Sequence, residues 1–372
     1  MRILYILPRP FGLLGNNASY MVPSIAKGLC DVRVVAFEAN EIEPKQIVYK
    51  DPALDCIHYP RVPVMLRMSY VLDEIERFKA DVVHQFYQMY SLLFPFYAKC
   101  LLKTPPKWII DVRSPHLGER NEDFAKELAR NALVESYCEV IMAHAVPSAR
   151  ELIPTRAEIV PAPPGISTSR FKSRDLEAIR PIRKFIYIGT LSKHRQLDRL
   201  VRFFAALRAR SRHLLTLDLF GAGNGSNLIQ DVIDENGLQG VVRLRGVVDQ
   251  EVLFERLCQY DVGICFIPGG VYEHAPALKF YEYAAAGLPV FATNTPGLVE
   301  HSEGIAAEYF SDDAESFCNV LMPWTETAYP IERLEANRRN AQSLDWTNVV
   351  AQTYVPVYER LAAVAEPRSG PK

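Results

Sequence analysis

The chain has 372 residues, of which 49% are hydrophobic and 23% charged, with Lys+Arg 42 against Asp+Glu 44 and a net charge of −2. That length exceeds one ordinary α/β core and fits two domains of roughly 150–200 residues each. The charge balance argues against a nucleic-acid partner, the apolar content against a disordered chain, and no run of ~18 apolar residues offers a membrane span.

Residues 2–7 read as a first buried strand, because the apolar run stops at Pro8, too early for a signal peptide. Further strands are expected at 31–37, 81–86, 107–112, 140–146 and 158–161, with helices at 69–79 and 121–137. Several strands are apolar at consecutive positions, as strands covered on both faces must be. This β-α-β rhythm predicts a doubly wound parallel sheet. The stretch 89–102 is the most apolar helical segment and reads as a core helix; a surface leaning on a membrane is the alternative. Clustered proline and glycine at 161–165 break the rhythm, closing a first domain at 1–165 and opening a connection over 162–182. A second β-α series fills 182–345, with strands at 184–188, 214–220, 241–244, 262–267, 289–293 and 306–310. The chain then ends in a long helix over 346–365, with Pro356 as its expected kink. The seven cysteines are widely spaced without a C-x-x-C pair, and read as reduced thiols in a cytoplasmic protein.

Four loops could carry chemistry. Gly12 and Gly15 follow the first strand and precede a helix, where glycine lets the backbone approach a ligand; a plain turn is the alternative. Gly189 and Thr190 follow a strand of the second series, and Lys193 or Arg195 just beyond could neutralise a diphosphate. Gly221 and Gly223 close another strand, suited equally to a tight turn or a site. The most specific segment is 272–290. Pro276 is placed to open a helix, Gly287 and Pro289 end it, and the N–H groups of Ala277 and Leu278 could hold a diphosphate. Glu282, two turns in and among aromatic and alanine neighbours, can accept from both hydroxyls of a ribose.

These residues resemble the retaining family-4 glycosyltransferases of the GT-B architecture over nearly the whole length. The similarity is carried by 1–15, Asp81 to His84, Asp111 and Arg113 with His116 and Glu119, Pro164 to Ile166, Gly189 to Leu191, Arg243 to Val247, and above all Lys279 to Val290. The resemblance implies two Rossmann-like domains facing across a cleft, with the final helix crossing back to the first. It implies that Glu282 binds the ribose and that Arg245 and Val247 border the base. Pro276, Ala277, Leu278 and Lys279, with Arg195, would flank the diphosphate. Gly12, Gly15, Arg113 and His116 would face the reacting sugar and acceptor. Two positions depart from the pattern. The family pairs two glutamates with seven residues between them, but His274 stands eight positions before Glu282 and Glu273 nine before, so either could fill the first role. A basic residue often follows the first glycine, where this chain has Thr190.

The expected reaction moves a sugar from a nucleotide-sugar donor, a UDP-sugar favoured, to a hydroxyl of a glycan or lipid-linked acceptor, with the anomeric configuration retained. Negative charge grows on the departing diphosphate, so cations and N–H dipoles should meet it. No acidic D-x-D pair falls in a donor loop, so neither a metal nor another cofactor is expected to be required. Peripheral contact with the inner face of the cell membrane, through the first domain, is the expected way to meet a lipid-linked acceptor. A nucleotide-sugar epimerase and an inactive nucleotide-sugar-binding protein are the rival readings.

Overall fold

The computed structural model describes residues 1–7, 10–11, 18–38, 51–88, 92–113, 126, 129, 131, 137–153, 157–172, 174–176, 180–270, 273–274 and 276–364. The chain divides into two compact units, Met1–Gly165 with Trp346–Lys372, and Ile166–Asp345.

The first unit is built on a seven-stranded sheet. Its strands are β1 (Arg2–Leu7), β2 (Asp31–Phe37), β3 (Asp55–Tyr59), β4 (Val82–Phe86), β5 (Lys107–Val112), β6 (Val140–Ala143) and β7 (Glu158–Pro161), in the order β3-β2-β1-β4-β5-β6-β7. Every pairing is parallel. Successive side chains feed opposite faces: Ile3, Tyr5 and Leu7 join one core cluster, Leu4 and Ile6 the other. The helix Val64–Phe78 covers one face, and the terminal helix covers the other through Trp346, Val350, Tyr354 and Tyr358. The stretch expected as a core helix resolves as Leu93–Leu101, which buries Phe94, Pro95 and Ala98. Among the described residues, no helix is long and apolar enough to cross a membrane.

The terminal helix is continuous across Pro356. A π-helical stretch, Val350–Tyr354, joins the α-helical pieces Trp346–Val349 and Val355–Val364. Proline offers no N–H to the preceding turn, and the wider π turn just before it absorbs the defect.

The second unit has a six-stranded parallel sheet. Its strands are β8 (Lys184–Ile188), β9 (Thr216–Phe220), β10 (Val242–Gly246), β11 (Val262–Cys265), β12 (Val290–Thr293) and β13 (Glu308–Phe310), ordered β10-β9-β8-β11-β12-β13. Both faces are covered, as the consecutive burial of Phe185 to Ile188 and Val262 to Cys265 requires. The stretch expected as an irregular connection is anchored within this unit. Ile166 N–H donates to the Leu344 carbonyl at 2.9 Å, the Phe171 and Phe254 rings lie 4.4 Å apart, and Arg174 pairs with Asp261 at 3.1 Å. The seven cysteines are free thiols.

Candidate functional site

In an open parallel sheet, ligands meet the C-terminal strand ends where the winding direction reverses. In the second unit that point lies between β8 and β11. The residues leaving those two strands are Gly189 and Thr190 on one side, and the loop running from Phe266 to the helix Leu278–Ala285 on the other.

That helix begins later than the sequence suggests. Ala277 is extended and takes the cap position, so the helix starts at Leu278 and buried Pro276 precedes it. Proline disfavours helical backbone in the residue before it, not after, so its presence alone did not fix the start. No side chain caps this end. The Phe280 N–H turns back to the Ala277 carbonyl at 2.9 Å, leaving the first-turn donors of Leu278 and Lys279 at the sheet edge. Tyr283 pins the helix to the sheet: its hydroxyl accepts from Ile188 N–H at 3.0 Å.

Glu282 is 6% exposed on this helix, one turn behind Lys279. A carboxylate is seldom so buried without a partner of charge or hydrogen bond. The neighbouring Cys265 senses the local charge. Burial pushes its thiol up to about 12, Lys279 and Arg195 pull it down, and Glu282 raises it. The thiol that ends β11 thus lies within electrostatic reach of two cations and one carboxylate. Arg195 sits in a short 3₁₀ turn, Lys193–Arg195, with Lys193 exposed and its N–H donating to Asn224 Oδ1 at 2.9 Å.

The glycines at the end of β9 serve backbone packing. Gly221 has φ 135°, and a Cβ there would collide with the Gly189 carbonyl; Gly223 packs against the Leu191 backbone in the same way. The β8 and β9 loops are thus locked together, with Gly189 N–H donating to Phe220 O and Leu191 N–H to Ala222 O, both at 3.0 Å.

Arg245 is drawn to Asp218. That buried carboxylate meets Arg243 Nε at 2.5 Å, Arg245 Nε at 3.5 Å and the Tyr260 hydroxyl at 2.6 Å. Val247, just beyond, is exposed. Glu273 and His274 lie on the other loop as a half-exposed pair, Oε1 to Nε2 3.5 Å. Glu273 is held at the loop surface: Oε2 accepts from Gly270 N–H at 3.1 Å and its carbonyl accepts from Gly297 N–H at 2.6 Å.

In the first unit, Gly12, Gly15 and His116 lie outside the described residues. Arg113 directly follows β5 and folds back onto buried Asp111, with Nη2 2.9 Å from Oδ2 and Nε 2.7 Å from Oδ1. It also lies over the Tyr354 ring at 5.4 Å. Asp111 belongs to a larger buried chain of polar groups. Tyr5 donates to Tyr358 at 3.0 Å, Tyr358 meets His84 Nδ1 at 2.9 Å, and His84 Nε2 meets Asp111 Oδ2 at 3.2 Å. A neutral imidazole protonated at Nε2 satisfies every step of that chain. Burial accordingly lowers the His84 pKa against the opposing pull of Asp111. Asp111 itself is held below its ordinary value: burial opposes ionisation, and Arg113 and His84 outweigh it. From sequence, Tyr354 and Tyr358 read only as apolar positions of the terminal helix and Tyr5 only as part of the first strand; none of the three carried a polar role.

Residues 182–322 match the family model described as Glycosyl transferases group 1. No curated protein matches the chain significantly. Among solved structures, the chain is similar to sucrose-phosphate synthase from Thermosynechococcus elongatus, at 15% identity and a TM-score of 0.73, covering 98% of this chain and 100% of that one. It is similar to HepE of Anabaena in complex with UDP and glucose, at 14% identity and TM-score 0.71, over 98% and 100% of the two chains. A glycosyltransferase from Rickettsia africae matches at 14% identity and TM-score 0.68, over 96% and 98%. At such identities the likeness establishes the fold, that of two parallel-sheet α/β domains of the GT-B type.

Proposed function

We propose that this chain is a glycosyltransferase that takes a sugar from a nucleotide-sugar donor, with a UDP-sugar favoured, and delivers it to a hydroxyl of a glycan or lipid-linked acceptor. The observation that carries the reading is Glu282. It is a buried carboxylate on a helix whose uncapped first turn opens at the switch point of the second sheet, with Lys279 and Arg195 close by. In this reading Glu282 holds the ribose hydroxyls, and the Leu278 and Lys279 N–H groups receive the diphosphate with the two cations. Those cations supply positive charge to the leaving group, which supports transfer without a required metal. The family match over 182–322 supports the same assignment, and HepE, a structural relative, binds UDP and glucose.

Retention of configuration follows the resemblance: the donor phosphate helps take the acceptor proton while the acceptor hydroxyl approaches the same face of C1. The acceptor and any peripheral membrane contact belong to the first unit. A second reading, a binder without turnover, is favoured by Thr190 and His274 standing where the family carries a cation and a glutamate.

The test is a thermal-shift screen of UDP-, GDP- and ADP-sugars, followed by product analysis. One base class should stabilise the protein; at 100 times Kd the gain is about 2.7 kcal/mol. Glu282→Ala should remove that gain. Stabilisation by none of the three, or an unchanged response in Glu282→Ala, would contradict the reading. Stabilisation without product across an acceptor panel would favour the binder.

A further inference from the structure

Tyr187 lies on β8, two residues before Gly189, and is wholly buried. Its hydroxyl has no hydrogen-bond partner among the described residues. Buried hydroxyls are nearly always paired, because water is lost and must be replaced. The surroundings of this one are charged. Lys279 Nζ stands 3.7 Å from the centre of the Tyr187 ring. A Cβ added at Gly189 would fall 2.9 Å from that Nζ and 3.4 Å from Tyr187 Oη. Hydroxyl and ammonium therefore meet on the same side of Gly189, and Lys279 belongs to the uncapped first turn of the helix Leu278–Ala285. The next residue of the β8 loop, Thr190, is neutral.

We propose that Tyr187 Oη and Lys279 Nζ together bind a phosphoryl oxygen of the nucleoside diphosphate, doing the work of the cation that position 190 lacks. The proposal rests on the nucleotide-sugar reading of this site. In the ligand-free chain the ring face holds the ammonium by cation–π attraction. A phosphoryl oxygen carries far more negative charge than a ring face, so it draws the flexible lysine off the ring. The uncovered hydroxyl then donates to the same oxygen in a charge-assisted bond. Glycine at 189 keeps the approach clear. Tyrosine rather than phenylalanine at 187 is thereby explained, since a core position alone has no use for the hydroxyl.

Tyr187→Phe keeps the ring, the volume and the cation–π contact, so the variant folds. Calorimetry would compare UDP, GDP and ADP with uridine, guanosine and adenosine on wild type, Tyr187→Phe and Lys279→Met. For the base that wild type accepts, the diphosphate should bind about tenfold more weakly to Tyr187→Phe, with the nucleoside unaffected. Lys279→Met should lose at least as much. The Tm of ligand-free Tyr187→Phe should be equal to or above that of wild type, because the variant removes an unpaired buried hydroxyl. Undiminished diphosphate affinity in Tyr187→Phe would overturn the proposal while leaving the nucleotide-sugar reading intact. So would an equal loss for nucleoside and diphosphate, or a lower Tm, either of which marks a structural role. If wild type binds no diphosphate more tightly than its nucleoside, the nucleotide-sugar reading fails and this proposal with it.

Discussion

Replacing Asp111 by asparagine is the sharpest test of how the first unit holds its terminal helix. The change conserves shape, so no cavity forms, but it removes the charge that Arg113, His84 and Tyr354 all address, at 2.7–3.3 Å. Taking one partner out of a buried ion pair costs about 3–5 kcal/mol, chiefly because the other charge is left uncompensated. Arg113 retains 16% side-chain exposure and can recover some hydration, which places the expected loss near the lower end, about 3 kcal/mol. For a unit of this size, each kcal/mol moves the midpoint by about 2–4 °C, so a drop of roughly 6–12 °C is expected. Scanning calorimetry of the full chain should show it in one transition, while a transition of the second unit, where resolved, stays in place. A shift below about 2 °C would mean that the cluster contributes shape and not charge, and would refute the reasoning.

Acid should destabilise the same unit early. The folded His84 pKa lies below its ordinary value near 6.5, so the unfolded chain binds the extra proton; this stability is present above about pH 6.5 and is lost as pH falls toward the folded value. Urea midpoints between pH 7.5 and 5 should decline in wild type and much less in His84→Gln; parallel curves would contradict the assignment. Glu273 is turned back onto Gly270 N–H while His274 occupies the position eight before Glu282, so His274→Ala should lower kcat roughly tenfold or more, and Glu273→Gln by less than about threefold. Initial-rate kinetics with a saturating donor would check this, and the reverse ranking would move the role to Glu273. Tyr358→Phe removes one link of the buried chain and should cost about 1 kcal/mol at neutral pH, read from the urea midpoint; no change would leave that hydroxyl without a role.

How much of this was readable in the sequence follows from burial. Residues 2–7, 31–37, 107–112, 158–161 and 184–188 are strands with the expected bounds. Most are interior strands with both faces covered, and apolar residues at consecutive positions announce them, interrupted only singly as at Arg33 and Asp111. The edge strand Asp55–Tyr59 went unread because it is only partly buried and its DCIHY sequence carries no apolar period. The strand expected over 140–146 stops at Ala143, since Val146 and Pro147 open a helix. The helix expected over 69–79 starts at Val64, directly after Pro63; exposed Met65 and Leu66 blur its amphipathic pattern. Most of the helix expected at 121–137 lies outside the described residues.

The second-unit candidate site is legible in local signals: glycines at strand ends, and Glu282 among aromatic and alanine neighbours on one short helix. The polar chain of the first unit is not. Tyr5 and Tyr358 are 353 positions apart, and nothing in either neighbourhood separates a hydrogen-bonded core tyrosine from an ordinary one. Tyr187 was hidden for a related reason. Its position looks like any apolar strand residue until the unpaired hydroxyl is seen beneath Lys279.

The most direct measurement is a crystal structure of the chain with the nucleoside diphosphate that stabilises it. The account predicts ribose hydroxyls on the Glu282 carboxylate and phosphoryl oxygens at the first turn of the helix Leu278–Ala285, against Lys279 and Arg195. A nucleotide seated away from the ends of β8 and β11, with Glu282 still sealed in the core, would contradict it.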